Sequence, residues 1–511
     1  MEVKEQDNPN KRIAKNTLYL YFRSILVMAI SVYTSRIILQ TLGVEDFGIY
    51  NVVGGFVGMF SILSSSLVNA SQRFISFEMG KSCPQLKKVF NGTLSIHIIL
   101  ALVLFVLFES FGVYFLYTKL NISDYRINAA FWVFQCSVLT FCVNLISIPY
   151  NASIVAHEKM KAFAYISLID VVAKLVMVYM LKIVTVDKLI VYAFMMMAIA
   201  VILRFIYGWY CSKNFSECKF KFSIDKILFK DMLSFSGWNF IGSTATILVT
   251  QGINVLTNIF FGVWLNAARG IAEQVNTAIN SFIANFMTAM NPQITKSYAS
   301  GDYDYMNNLM VSGAKYATIL FWFLSLPVFV ETEYILEMWL VDVPPYAPVF
   351  VRLSIIYSIF QSLSNSLYIG MLATGKIKKY QISMGSLYIS SFFLCYFLFK
   401  LGVGPEWGYI STIFALFIGM FVRLYLLRQM IPNFSVSVFV KDAILKSISV
   451  IVLSSIIVYC VSILNYSYCI LKLICVIMTS FTIIPFFSYF VALNNNEKVV
   501  IIKQICKCIK K

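Results

Sequence analysis

Histidine is almost missing: His97 and His157 are the only 2 in 511 residues. Chemistry that runs on an imidazole base or a histidine-held metal has little to work with. Charge is scarce too, at 13% of residues, against roughly a quarter in soluble proteins. That shortage excludes a water-soluble globular domain. The 11 cysteines, an odd number, are scattered singly and mostly lie in or beside apolar runs. Neither a disulfide framework nor a zinc spacing emerges, and Cys506 and Cys508 in the basic tail read as free thiols. Strict alternation is also lacking: a run such as "IHIILALVLFVLF" does not alternate apolar and polar residues as a membrane barrel strand would. Large outer loops are missing as well, and the short ones lean acidic, as with Glu45, Asp46, Glu331, Glu333, Glu337 and Asp342. No cofactor and no metal site is expected.

What is there is apolar: 59% of residues are hydrophobic and 16% aromatic. Most of the chain falls into runs of about 20 residues or more, each long enough to cross roughly 30 Å of hydrocarbon as a helix. The expectation is an all-α polytopic membrane protein of about fourteen spans. They begin near 16–40 and 47–71, include 162–181 and 268–292, and end at 468–491. The first run holds Arg23 and Arg36 and lacks a small-x-small cleavage site, so it reads as a span and not as a secretory signal.

Net charge is +17. It sits in short loops beside the spans: Lys11, Arg12 and Lys15, the Lys213 to Lys230 loop, "GKIKK" at 375–379, and the tail from Lys498 to Lys511. Its ordinary cause is membrane orientation and contact with anionic membrane lipids, not nucleic acid, and it places both termini in the cytoplasm. The stretch "KNFSECKFKFSIDKILFK" (213–230) mixes Phe and Ile with Lys and is expected to lie along the inner surface as an amphipathic helix. The same expectation holds for "EKVVIIKQICKCIKK" at the C-terminal end.

Two loops repeat with nearly the same spacing. "LGVEDFGIYNVVGGF" (42–56) matches "FGVWLNAARGIAEQV" (261–275), and "VAHEKMKAF" (155–163) matches "LATGKIKKY" (372–380). The expected organisation is a six-helix N-lobe (1–209), a basic cytoplasmic linker (210–231), a six-helix C-lobe (232–430), and two further helices with a basic tail (431–511). Lobes with an even number of spans enter from the same side, so they read as parallel repeats related by a pseudo-twofold axis along the membrane normal.

Four stretches carry a resemblance to a known family: "TSRIILQTLGVEDFGIYNVVGGFVGMFSIL" (34–63), "SQRFISFEMGK" (71–81), "IPYNASIVAHEKMKAFAYISLIDVV" (148–172) and "NAARGIAEQVNTAINSFIANFMTAMNPQITKSYASGD" (266–302). The chain resembles the polysaccharide-transporter branch, the Wzx-type O-antigen flippases, of the multidrug, oligosaccharidyl-lipid and polysaccharide exporter superfamily. The resemblance implies a MATE-like two-lobed bundle in the bacterial inner membrane. Its implied work is to flip a polyprenyl-pyrophosphate-linked oligosaccharide, such as an O-antigen, capsule or exopolysaccharide repeat unit, from the inner to the outer leaflet. Polysaccharide polymerase machinery is a candidate partner, and H+ or Na+ a candidate coupling ion. A MurJ-type lipid II flippase and a cation-coupled multidrug exporter are the nearest rivals. A membrane-embedded polymerase or acyltransferase is the rival from another class, disfavoured by the short outer loops and the two histidines.

Against that expectation the charges inside spans can be read. A charge at mid-bilayer costs at least about 2.5 to 3.5 kcal/mol and usually faces a cavity or a partner. Asp170 and Lys174 stand at i,i+4 spacing and either neutralise each other or serve transport. Arg269, Glu273, Asn276, Asn280 and Thr288 lie along one stripe of a helix, and Asn239, Ser243, Thr246, Thr250 and Asn254 form a row on the helix before it. Such rows either glue helices together or line a hydrophilic cavity. Arg23 shares a face with Asn16, Tyr19 and Thr34. The expected pyrophosphate and glycan contacts are thus Arg23, Arg269, Lys174, Asn239, Asn254, Asn276 and Asn280. Glu273 and Asp170 are the candidates for ion coupling or counter-charge. Arg36, Arg352, Glu109 and Lys119 read as interfacial.

Overall fold

The computed structural model describes residues 9–58, 60–118, 122–223, 225–340, 342–464, 469–494 and 497–499. Among them every regular element is helical. In chain order the α-helices are α1 (Pro9–Gly58), α2 (Ser61–Met79), α3 (Leu86–Leu107), α4 (Val113–Thr118), α5 (Ile127–Ala156), α6 (Met160–Ile183), α7 (Lys188–Asn214), α8 (Lys226–Phe261) and α9 (Val263–Ser300). There follow α10 (Tyr303–Val330), α11 (Thr332–Trp339), α12 (Ala347–Thr374), α13 (Lys378–Lys400), α14 (Trp407–Met430), α15 (Val436–Phe439), α16 (Lys446–Ile463) and α17 (Cys469–Phe487). One π turn, Phe108–Gly112, joins α3 to α4, and another, Val440–Leu445, joins α15 to α16. Each pair is therefore a single rod.

Eleven helices among the described residues are long and apolar enough to cross a membrane, against the fourteen spans expected. Two of the expected spans outside that set, 162–181 and 268–292, are nonetheless formed, as α6 and α9. They carry Asp170, Lys174, Arg269, Glu273 and the asparagine stripe, so the polar residues that mark them as candidate sites also lower their hydropathy. The first expected span lies in α1. The side chains of Arg36 and Lys119, the cysteines Cys506 and Cys508, and the expected C-terminal amphipathic helix from 500 onward lie outside the described residues.

The repeated loops share a backbone feature that strings of letters do not reveal. Gly43 (φ 79) breaks α1, and Gly262 (φ 91), at the aligned position, separates α8 from α9. In the second loop pair Glu158 (φ 58) ends α5 and Gly375 (φ 74) ends α12, again at aligned positions. Left-handed backbone is costly for any residue with a Cβ, so Glu158 needs outside support. It has some: Asn16 Nδ2 donates to the Glu158 carbonyl (3.1 Å), and Lys296 Nζ pairs with its carboxylate (2.7 Å).

The chain forms two compact units. The first holds residues 1–243 and 295–301, and the second 244–294 and 302–511. The boundary thus falls within α8 and within α9, not in the loop ahead of α8. In the first unit α5 packs on α7 and α1 on α6; in the second α12 packs on α10 and α14. The first unit has apolar clusters around Phe134 and Val133, around Phe90 and Tyr150, and around Met177 and Leu181.

The linker departs from expectation. Instead of an amphipathic helix, only Ser216–Cys218 makes a short 3-10 turn, and helix resumes at Lys226. In between, Lys221 N donates to Asn91 Oδ1 (3.0 Å) and Ser223 N to Ser95 Oγ (3.1 Å). Asn91 and Ser95 are one turn apart on α3, so two polar side chains satisfy an extended backbone that a helix would have satisfied internally. Lys88 and Asp225 close the segment with an ion pair of 2.7 Å.

Candidate functional site

The expected residues fall into two groups, one in each unit. In the first unit Arg23 of α1 lies over the Phe163 ring of α6, 4.6 Å from its centroid, and its Nε has no hydrogen-bond partner among the described residues. Asp170 and Tyr207 are the groups that interact with it electrostatically. Asp170 also pairs with Lys174 at 2.9 Å, as the i,i+4 spacing predicts, with both side chains about one-third exposed. Residues from two separate runs thus become one cluster of two cations and one carboxylate. Asn16 and Thr34, expected on the Arg23 face, have structural duties instead: Asn16 holds the Glu158 carbonyl, and Thr34 bonds back to Ile30 O at 2.7 Å.

Asn239 lies in the first unit and is fully buried, whereas Asn254, on the same helix, lies in the second. The expected polar row of α8 is therefore divided between units. Along it Thr250 bonds back to Thr246 O (2.7 Å), and Asn254 Nδ2 donates to Gln251 Oε1 (3.3 Å).

In the second unit the Arg269 guanidinium of α9 is held by uncharged groups. Nη1 donates to Thr257 Oγ1 (3.3 Å), and Cζ lies 4.9 Å from the Tyr409 ring centroid. Its neighbour across the packing is Gly408, where a Cβ would come within 3.0 Å of Nη1. Glycine there makes room for the guanidinium. Among the described residues no carboxylate lies in ion-pair range of Arg269, and Glu273 is exposed. Glu273, expected as a counter-charge or coupling carboxylate, stands one turn away on the same helix and acts on Arg269 through the longer-range field.

Asn276 and Asn280 meet Ser358 of α12 in a closed triangle. Ser358 Oγ donates to Asn276 Oδ1 (2.7 Å), and Asn280 Nδ2 reaches both Asn276 Oδ1 (2.9 Å) and Ser358 Oγ (3.0 Å). Side chains so satisfied tie α9 to α12.

The sequence reading missed Arg423. This residue of α14 is buried and donates from Nε to the Tyr380 hydroxyl (3.2 Å), with Tyr388 as a further partner. Tyr357 feels Tyr388, Glu273, Arg423 and Tyr409 together. Within the second unit Arg269, Arg423 and Glu273 thus act on a shared set of tyrosines. Arg423 lies near the end of an expected span, where an arginine reads as an interfacial anchor, and no local signal distinguishes it. Lys315 was missed for the same reason; it is buried on α10 and pairs with Glu497 at 2.8 Å.

Among the described residues, Arg352, Glu109 and the two histidines have protein partners. Arg352 pairs with Glu333 (2.6 Å), and Gln135 donates to Glu109 (3.1 Å). His97 is buried against Ser71 and the Thr93 carbonyl. His157 bonds Glu217 (2.5 Å) and stacks on Phe215, with centroids 4.0 Å apart. That hydrogen bond holds the Glu217 carboxyl below its ordinary pKa.

The long apolar helices among the described residues define a multi-pass membrane protein. Comparison with known proteins narrows the class. Residues 13–298, more than half of the chain, match the family model described as "Polysaccharide biosynthesis protein". The chain belongs to that family. No curated protein sequence matches it. Among solved structures it is similar to a point mutant of a MATE transporter, with 12% identity, TM-score 0.70, and coverage of 83% of this chain and 96% of that one. A MOP superfamily transporter from Pyrococcus furiosus Vc1, described as having a binding pocket of reversed polarity, matches with 12% identity, TM-score 0.67 and the same coverage. An outward-facing multidrug resistance MATE family transporter matches with 13% identity, TM-score 0.64, and 83% and 96% coverage. At such identities the likeness establishes the fold: the chain is a MATE-like helical bundle.

Proposed function

We propose that the protein is a flippase that carries a polyprenyl-pyrophosphate-linked oligosaccharide from the inner to the outer leaflet of a bacterial inner membrane by alternating access, with both termini cytoplasmic. Membership of the polysaccharide biosynthesis family supports the glycan part of this reading. The observation that carries the headgroup part is Arg269: a guanidinium on a membrane helix, held only by a hydroxyl and an aromatic ring, with no carboxylate in ion-pair range among the described residues. A cation left so is costly in the membrane unless an anionic ligand completes it. Pyrophosphate offers the paired oxygens that a guanidinium binds in fork geometry. Arg23 and Lys174 add a second cationic position in the first unit, with Asp170 as its carboxylate, and Asp170 and Glu273 remain the candidates for H+ or Na+ coupling.

The test uses the purified full chain in lipid nanodiscs and farnesyl pyrophosphate, with farnesyl monophosphate and farnesol as controls. Binding in the order pyrophosphate, monophosphate, alcohol, with Arg269→Ala erasing the preference, supports the reading. Equal binding of all three, or a preference unchanged in Arg269→Ala, overturns it.

A further inference from the structure

A cavity of about 190 Å³ lies wholly within the first unit, between α1 and α5 with α7 closing one side. Its polar lining comes from Tyr50 of α1 and from Ser137, Thr140 and Asn144 of α5, and Phe141 adds an aromatic face. The spacings i, i+3 and i+7 put the three α5 residues on one face, opposite Gly54 and Gly58 of α1. The space far exceeds the roughly 10–15 Å³ that admits one water. It falls short of the roughly 300–1,000 Å³ of sites for drug-sized ligands. One ring-sized group fits.

Unspent hydrogen-bonding capacity indicates what that group is. On the same helix Ser147 bonds back to Val143 O (2.8 Å) and Ser153 to Pro149 O (3.0 Å), the usual way a hydroxyl is satisfied in a membrane helix. Ser137, Thr140 and Asn144 do neither: among the described residues none donates to or accepts from another protein group. An exposed, unsatisfied Asn144 facing lipid would be costly, so the face is built for polar contents. The lining holds no charged residue. A pyrophosphate would find no cation there, and a metal ion no carboxylate. Hydroxyls and an amide, which donate and accept, beside aromatic faces match a neutral polyhydroxylated ring.

We propose that this cavity is a sugar subsite that takes one uncharged ring of the lipid-linked glycan; it rests on the flippase reading given above. By the repeat alignment Tyr50 and Gly54 stand where Arg269 and Glu273 stand in the second half. One half then reads the neutral glycan at the position where the other reads the charged headgroup.

The test is saturation-transfer difference NMR on the full chain in nanodiscs, with free neutral hexoses, 6-deoxyhexoses and N-acetylhexosamines at millimolar concentrations. At least one sugar is expected to receive saturation. That signal is expected to fall at least several-fold in Gly58→Leu, which fills the cavity from a position where a Cβ meets nothing within 4 Å, and in Asn144→Ala, which removes an amide without adding bulk. Farnesyl pyrophosphate binding is expected to persist in both variants. Transfer to no sugar of the panel, or a signal undiminished in both variants, overturns the subsite while leaving the headgroup reading intact. Loss of pyrophosphate preference in the unmodified chain removes the flippase reading itself. Sodium-specific thermal stabilisation that Asn144→Ala abolishes, with no sugar signal, reassigns the cavity to a cation and also overturns the proposal.

Discussion

Tyr50 and Gly54 occupy in one half of the chain the aligned places that Arg269 and Glu273 occupy in the other. Both stretches follow a left-handed glycine, Gly43 and Gly262, so the backbone joint is the same and the chemistry beyond it differs. On the first side Tyr50 packs edge-on against Tyr192, with centroids 4.7 Å apart, and no charge lines the space; on the second a guanidinium is fixed by Thr257 and Tyr409. The fold tolerates the neutral version, so it does not require the charged one. A costly feature that the scaffold does not need is a sound candidate for ligand contact. Arg23 supplies a second contrast. It shares the first unit with the Asp170–Lys174 pair, whereas Arg269 has no carboxylate in ion-pair range among the described residues.

That contrast ranks the expected effects. Arg269→Ala should weaken farnesyl pyrophosphate binding by about 10- to 100-fold, the scale of a charge-assisted hydrogen bond of roughly 1.5–3 kcal/mol. Calorimetry measures this, and Arg269→Lys should recover only part of it, because an ammonium lacks the fork. An effect of Arg23→Ala equal to that of Arg269→Ala would erase the distinction between the two clusters. Asn276→Ala should leave that affinity unchanged and lower stability by about 1–3 kcal/mol, since it strands Ser358 and Asn280 in a buried network. The double variant with Ser358→Ala should then cost less than the sum of the single variants, read by thermal unfolding in detergent. Arg23→Ala should cost about threefold in affinity, in keeping with the ~0.5–1 kcal/mol of a partly screened pair.

The smallest effect concerns pH. The Glu217 carboxyl is held below its unfolded value by His157, so its contribution to stability is present above the ordinary carboxylate pKa. It is lost as pH falls through the depressed value. Melting temperature measured across that acid range should drop more steeply in the unmodified chain than in Glu217→Gln. Replacing both His97 and His157 should leave pyrophosphate affinity unchanged; complete loss of transport by a well-inserted double variant would revive an enzymatic role.

Much of the fold was legible because the bilayer imposes a coarse code. A helix must be long and apolar to cross it, and α5, α12 and α14 meet both conditions openly. The pairing of Asp170 with Lys174 was legible for a local reason, since four residues make one turn. Arg423 and Lys315 were not, because a cation near a span end reads as an anchor until burial is known. The linker was misread because alternating Phe and Lys suit an amphipathic helix; Asn91 and Ser95, far away in sequence, supply the partners that let it stay extended. Nor did the asparagine stripe announce its partner: helical spacing gave the face of Asn276 and Asn280, but only packing brought Ser358 to it.

Composition and periodicity by themselves determined the membrane class and the helical architecture, because these follow from spacing along one chain and from the cost of exposed backbone in lipid. The tertiary structure alone decided which charges meet. Arg23 joins Asp170, Arg269 takes a hydroxyl and a ring, and among the described residues Ser137, Thr140 and Asn144 are left without partners around a cavity. Electrostatic and hydrogen-bonding fate depends on groups brought together from distant segments, and no local pattern encodes that distance.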